Sequence, residues 1–343
     1  MKNKEFGSDF YFCNNEEFYS DVEFFSKNYI LFLSGRSALF SIVDYGIKNE
    51  NWTKIYIPSY YCKEVLEGLK QLSIEIVEYQ FNPFLNNNVS FPDRSDVVVL
   101  NVNYFGLFNN VLTDYKRLSV IRDLTHNIKD LLSVKERFVF ASLRKELPVP
   151  VGGVARVQGV DLKTLRVNKD VRDLCLKKIT AMYLKFDYLL NDSVEKQIFR
   201  KMYLSAELEL ERNFKGYEIP MLAKSILKKL NVERILAVKK RNIEYALSLI
   251  KNTKLENYVV NDKYNLGLGL VLLFNTKKQR ENLRINLIKE NIYPAVLWPG
   301  QTNRSDIDIQ DRMLFIHLDY RYSEKEISEI LETVIINLND VKI

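Results

Sequence analysis

The sequence predicts an α/β fold with a mainly parallel central sheet, helices on both faces and a smaller C-terminal α+β domain. Three observations carry this expectation. Short β-rich runs alternate with helical patterns through the first half of the chain, the signature of strand–helix–strand crossovers. One of these runs, Val97-Val-Val-Leu100, is apolar at every position, as a strand buried on both faces requires. Beyond about residue 160 the pattern changes to long helical segments and then to a compact mixture of short strands and helices.

Taken in order, the strand candidates are the apolar run 30–33 and residues 54–58, 74–79, 96–101, 118–123, 137–140 and 153–157. A helical pattern follows Ser34-Gly35, where a small-residue turn offers a side-chain cap and free N–H groups. The spacing predicts interrupted helix over 161–212 and a second helical stretch over 221–251 that bridges two domains. Strands over 266–274, 293–298 and 313–317, a helix over 277–289 and a closing helix from Ser323 complete the chain. At 343 residues, two domains are expected, a large one over 1–230 and a small one over 231–343.

Composition excludes several function classes. Hydrophobic residues make up 47% and charged residues 27%, the balance of a soluble globular protein. No apolar run approaches the ~18 residues of a membrane span, and the first residues lack a signal-peptide core, so a cytoplasmic protein is expected. Cys13, Cys62 and Cys175 are odd in number and far apart, and His126 and His317 are the only histidines, which argues against disulfides and metal sites. The net charge is +6, and the basic cluster Lys224, Lys228, Lys229, Arg234, Lys239, Lys240 and Arg241 falls on a helical pattern. That arrangement reads as a solvated face, so no nucleic-acid partner is expected.

Candidate chemistry collects after the strands, where open α/β sheets bind ligands. Lys145 follows an apolar strand, beside Arg144 and before Gly152-Gly153. Apolar surroundings and a neighbouring cation both lower an ammonium pKa, which makes Lys145 a candidate Schiff-base former. The Ser-x-x-Lys spacing of Ser142 and Lys145 occurs four times in the chain and identifies nothing by itself. A hydrolase using that pair is also disfavoured, because no Lys-Thr-Gly partner is present. Gly35, Arg36 and Ser37 form a helix-start turn suited to phosphate. Asp123 ends a strand, where a carboxylate can hold a heterocyclic nitrogen protonated or simply cap a turn, and His126 follows three residues later. Asn103-Tyr-Phe-Gly106 and Ser59-Tyr-Tyr-Cys62 end two further strands.

These motifs, with Ile57-Pro-Ser-Tyr-Tyr-Cys62, Gly216-Tyr217 and Asp319-Tyr-Arg-Tyr-Ser323, resemble the DegT/DnrJ/StrS family of sugar-nucleotide aminotransferases over nearly the whole chain. The resemblance implies a fold-type-I enzyme dependent on pyridoxal 5'-phosphate (PLP). Lys145 would carry the cofactor as a Schiff base and shuttle a proton, Asp123 would pair with the pyridine nitrogen, and His126 would lie near the ring. Gly35, Arg36, Ser37, Cys62 and Ser142 would complete the cofactor site. An amino acid, usually glutamate, would donate the amine to a keto-sugar nucleotide, in a homodimer. The family's dehydratases carry histidine in place of this lysine, so Lys145 favours transamination.

The chain departs from the family at three places. Phe140 stands where a phosphate-binding serine is usual, and Cys62 stands where an aromatic residue covers the ring. Gly216-Tyr217-Glu218-Ile219-Pro220 replaces Gly-Tyr-Asn-x-Arg, and a glutamate facing a phosphate would be repulsive, so that loop is expected to be rearranged. The departures leave two other readings open: a PLP enzyme acting on another keto substrate, and a binding protein that has kept the fold without catalysis.

Overall fold

The structure is a computed structural model that describes residues 4–339, apart from 8, 13, 26–27, 86, 88, 108–114 and 263–265. Cys13 therefore lies outside the described residues. In chain order the elements are β1 (Phe6–Gly7), β2 (Ile30–Phe32), α1 (Gly35–Asn49), β3 (Lys54–Pro58), α2 (Lys63–Leu69), β4 (Glu75–Tyr79), β5 (Val97–Val102), β6 (Ser119–Asp123), β7 (Phe138–Ser142) and β8 (Gly153–Val157). They continue with α3 (Lys169–Asn191), α4 (Lys196–Arg212), α5 (Met221–Lys229), α6 (Val232–Ile250), β9 (Leu270–Leu273), α7 (Lys277–Lys289), β10 (Ile292–Tyr293), α8 (Arg304–Arg312), β11 (Met313–Ile316) and α9 (Glu324–Asn339).

Seven strands form the central sheet in the order β2-β8-β7-β6-β5-β3-β4. The pairs from β7 through β6, β5 and β3 to β4 are parallel, and β8 joins β7 and β2 antiparallel. The expected mainly parallel sheet is observed, and every strand of β5 and β7 is buried at each position. Alternation sorts the side chains between faces. Val98, Leu100, Phe138 and Phe140 pack with Ala38, Leu39 and Ile42 of α1 and Leu66 and Leu69 of α2. Val139 and Ala141 point the other way, toward Val171 and Leu174 of α3, Ala206 of α4 and Ile235 of α6. Helices thus cover both faces.

The two antiparallel strands bring β8 against the start of α1, and a glycine makes the approach possible. A Cβ on Gly153 would lie 2.1 Å from the carbonyl of Ser34. Ser34 itself caps α1, its hydroxyl accepting from the Ser37 N–H at 3.1 Å.

The second half differs from expectation in detail. Residues 161–168 are not helical, because Asn168 caps α3 and the helix begins there. The stretch 221–251 breaks at Leu230 and Asn231, where Asn231 caps α6. The first half of α6 (Val232, Ile235, Leu236) joins the core against the sheet, and its second half (Ile243, Ala246, Ile250) joins a separate core with β9, β11, α7 and α9. β9 and β11 pair antiparallel, and β1 pairs with β10, so Phe6 packs in that C-terminal core. The strand expected over 293–298 stops at Tyr293, since Pro294 follows and Trp298 takes a left-handed backbone conformation at φ 54°. Ser323 and Glu326 bond reciprocally to start α9.

Candidate active site

Parallel register places the chemistry. Asp123, the last residue of β6, lies opposite Val102 of β5 and Phe140 of β7. The loops after β3, β5, β6 and β7 therefore open onto one cavity of about 130 Å³. Its walls include Gly35, Arg36, Cys62, Asp123, His126, Ser142 and Lys145, all expected from the sequence. Ser37 is not among them, because its side chain turns back to the Ser34 hydroxyl at 3.1 Å and is fully buried behind the turn.

Lys145 ends a short 3-10 turn immediately after β7. Its side chain keeps accessible surface toward the cavity, while protein surrounds it at longer range. That desolvation, with Arg144 and Arg36 acting in the same direction and Cys62 and Glu207 opposing, holds its pKa below the ordinary lysine value. Glu207 of α4 is ionised and held down at about 2: burial would raise it, but Arg144 and Lys178 outweigh that cost. It pairs with the Arg144 guanidinium at 2.7 Å and with Lys178. Glu207 came from a helix with no motif, so nothing in the sequence marked it.

Asp123 is buried, and burial raises its carboxyl pKa against the bonds that favour the anion. The Thr125 N–H donates to one oxygen at 2.8 Å and the Tyr61 hydroxyl to the other at 2.5 Å. Tyr61 stays protonated, its pKa pushed well up by burial and by Asp123. A carboxylate this costly to ionise gains from any cationic partner that enters the cavity.

His126 is fixed from the neighbouring turn. The Phe105 N–H donates to its Nδ1 at 3.1 Å, which leaves the proton of the neutral ring on Nε2. Gly106, at φ 73°, lets this turn approach: a Cβ there would lie 2.4 Å from the His126 carbonyl oxygen. Burial first, then Lys145 and Lys239, lower the His126 pKa to about 3. Because its folded pKa lies below the unfolded value of about 6.5, the unfolded chain takes up this proton first. Stability is therefore full above about pH 6.5 and falls toward pH 3, by about 1.4 kcal/mol per pH unit from this group. Urea midpoints between pH 7 and 4.5 are expected to fall less steeply for His126→Asn than for the wild type. Equal slopes would contradict this assignment.

Three buried polar atoms on residues that line the cavity lack hydrogen-bond partners: Arg36 Nη1, Asn103 Oδ1 and Arg144 Nε. Unpaired buried polar atoms are costly, and their convergence marks a place for a polar ligand. Arg36 stands in the first turn of α1, where the free N–H groups and the helix dipole also favour an anion. Cys62 offers no ring, and its thiol, raised to about 11 chiefly by burial, donates to Glu64 at 2.9 Å. Phe140 lines the cavity as an apolar wall. Trp298, read from the sequence only as the end of a strand, also reaches it. Glu218 does not: it lines a separate groove with Asp161, Lys224 and Lys228. Its loop is zipped onto β2, Leu33 N–H to the Tyr217 carbonyl at 2.9 Å and Ile219 N–H to the Leu31 carbonyl at 3.2 Å.

No family model matches the sequence, and no curated protein matches it significantly. Solved structures do match. Helicobacter pylori PseC, an aminotransferase involved in the biosynthesis of pseudoaminic acid, superposes with a TM-score of 0.57 at 10% identity, covering 98% of this chain and 100% of its own. Spr1654 of Streptococcus pneumoniae, described as a sugar aminotransferase and seen in its PMP form, gives 0.57 at 11% identity over 92% and 88% of the two chains. ColD, a GDP-4-keto-6-deoxymannose-3-dehydratase with bound GDP-perosamine, gives 0.56 at 15% identity over 90% and 88%. The chain has the fold-type-I architecture. In that fold-type-I frame the cavity of Lys145 and Asp123 lies at the carboxyl ends of the parallel strands, where such sheets place ligands.

Proposed function

We propose that this protein is a PLP-dependent aminotransferase that moves an amino group from an amino acid, glutamate, to a keto-sugar nucleotide for a surface polysaccharide or glycoside. The observation that carries the reading is the convergence of Lys145, Asp123 and Arg36, whose Nη1 lacks a partner, on one cavity of a fold-type-I sheet. PseC and ColD, by their names, belong to sugar biosynthesis and nucleotide-sugar chemistry, and supply the substrate class.

The residues fit the cofactor. Arg36 Nη1 and the N-terminus of α1 form an anion site for the phosphate, and the Asp123 carboxylate suits a protonated ring nitrogen. When bound, PLP supplies an electron sink for negative charge developing at the substrate Cα. Lys145, with its lowered pKa, is the base that takes the proton from that carbon and returns it. The neutral His126 offers an Nε2–H without adding a charge. Glu207 holds Arg144 by its ion pair and so leaves the Lys145 amine unpaired with a carboxylate.

In this reading residues 1–230 form the cofactor-binding unit, residues 231–343 the small unit, and the enzyme works in the cytoplasm as a homodimer. Supporting the dimer, Leu204 and Leu208 of α4 are 65% and 56% exposed one turn apart, flanking Glu207. No described helix is long and apolar enough to cross a membrane.

The test is the visible spectrum of the purified chain with PLP. A band near ~410–430 nm is expected, bleached by glutamate and restored by a keto-sugar nucleotide. A chain that stays colourless with excess cofactor would overturn the reading.

A further inference from the structure

We propose that Trp298 provides the aromatic face for the cofactor ring, in place of the side chain that Cys62 cannot supply. The inference rests on the reading of the cavity as a PLP site and adds a positioning residue from the opposite end of the chain. Three observations converge on it.

The first is backbone strain. Trp298 sits at φ 54°, a left-handed conformation that a bulky side chain rarely adopts. Such strain persists only where the surroundings impose it, and it concentrates at ligand sites.

The second is how the segment is held. The Tyr60 hydroxyl donates to the Leu297 carbonyl at 2.9 Å, and Gln301 Nε2 donates to the carbonyls of both Trp298 and Tyr61 at 3.0 Å. These bonds tie the Trp298 segment to the loop that ends in Cys62. The indole thus stands beside the loop that ends in Cys62, with its ring 5.7 Å from that of Tyr61, and shares the cavity wall with Cys62.

The third is orientation. The indole lies nearly parallel to His126, at 5.3 Å and 17°, and to Phe105, at 5.8 Å and 28°. Tyr60 and Tyr104 meet it edge-on. It remains only partly buried and lines the cavity shared with Lys145 and Asp123. A side chain serving only the core would be closed in on all sides, as Trp52 is at 2% exposure. A flat, partly open indole is a stacking surface for a planar, electron-poor ring.

The experiment compares PLP affinity, read from the visible band, for the wild type, Trp298→Phe and Trp298→Leu. Phenylalanine keeps an aromatic face and is expected to bind within about threefold of the wild type. Leucine fills space without a π face and is expected to bind about tenfold more weakly, with a thermal midpoint close to that of the phenylalanine variant. Intrinsic fluorescence gives a second readout, since Trp52 and Trp298 are the only tryptophans. Cofactor binding is expected to quench the wild type more than Trp298→Phe, which retains only the core Trp52. Equal affinity of the leucine and phenylalanine variants, or equal quenching with and without Trp298, overturns the proposal while leaving the PLP reading in place. A wild type that binds no PLP overturns both.

Discussion

Lys145→Ala is expected to give a folded, colourless protein whose transfer of an amino group from glutamate is slowed by at least about 10³-fold. Two losses add in one residue. In the proposed function the visible band would require a covalent link from the Lys145 Nζ to the cofactor, and the same nitrogen would be the base that serves the substrate carbon; an acid–base group in this position contributes about 10²–10⁴-fold. The fold should tolerate the change, because the side chain projects into a cavity and leaves no core contact unfilled. Circular dichroism and the urea midpoint check folding, and the rate at which glutamate is converted to its keto acid checks the transfer. A variant that keeps the band, or transfers within tenfold of the wild type, would remove Lys145 from the chemistry.

Asp123→Asn is expected to separate binding from rate. Asparagine keeps the size of the side chain; its one amide oxygen can still accept from the Thr125 N–H, while its NH2 group meets the Tyr61 oxygen as a donor and reverses that bond. It cannot pair with a cation as a carboxylate does, so under the proposed function the ring nitrogen would lose its charge partner. Loss of a preorganised electrostatic contact of this kind costs about 10²–10³-fold. Cofactor should remain bound through Lys145 and Arg36, and stability should hold or rise, since the buried carboxyl is already held above its usual pKa by desolvation. Single-turnover bleaching by glutamate reads the rate directly. A rate within tenfold of the wild type would show that Asp123 serves the fold and not the ring.

Much of this was legible in local pattern. The strands over 54–58 and 153–157 and the helix over 277–289 fall on the observed bounds, because apolar alternation, turn residues and caps are nearest-neighbour properties. Arg36, Asp123, His126 and Lys145 were visible for a related reason: each follows a strand, and parallel strands deliver their carboxyl ends to one edge. Where the local signal failed, a tertiary contact had overridden it. Residues 293–298 are apolar enough for a strand, yet the bonds from Tyr60 and Gln301 pin that segment across the loop of Cys62 and bend Trp298 into the left-handed region. The loop at Glu218, expected to be rearranged, is drawn onto β2 by backbone bonds and lines a separate groove, a placement that no local pattern specified.

The sequence alone determined the alternation that makes a parallel sheet, the cap and glycine turn before α1, and the titratable residues at the strand ends. These follow from periodicity and from the identity of residues a few places apart. Only the tertiary structure decided what stands opposite them. Glu207 beside Arg144 is separated from it by 63 residues, Tyr61 beside Asp123 by 62, and Gln301 beside Tyr61 by 240. Contacts of that span have no local signature, because they arise from which faces the sheet and helices bury against one another, and in this chain they set which charges and rings surround Lys145 and Asp123.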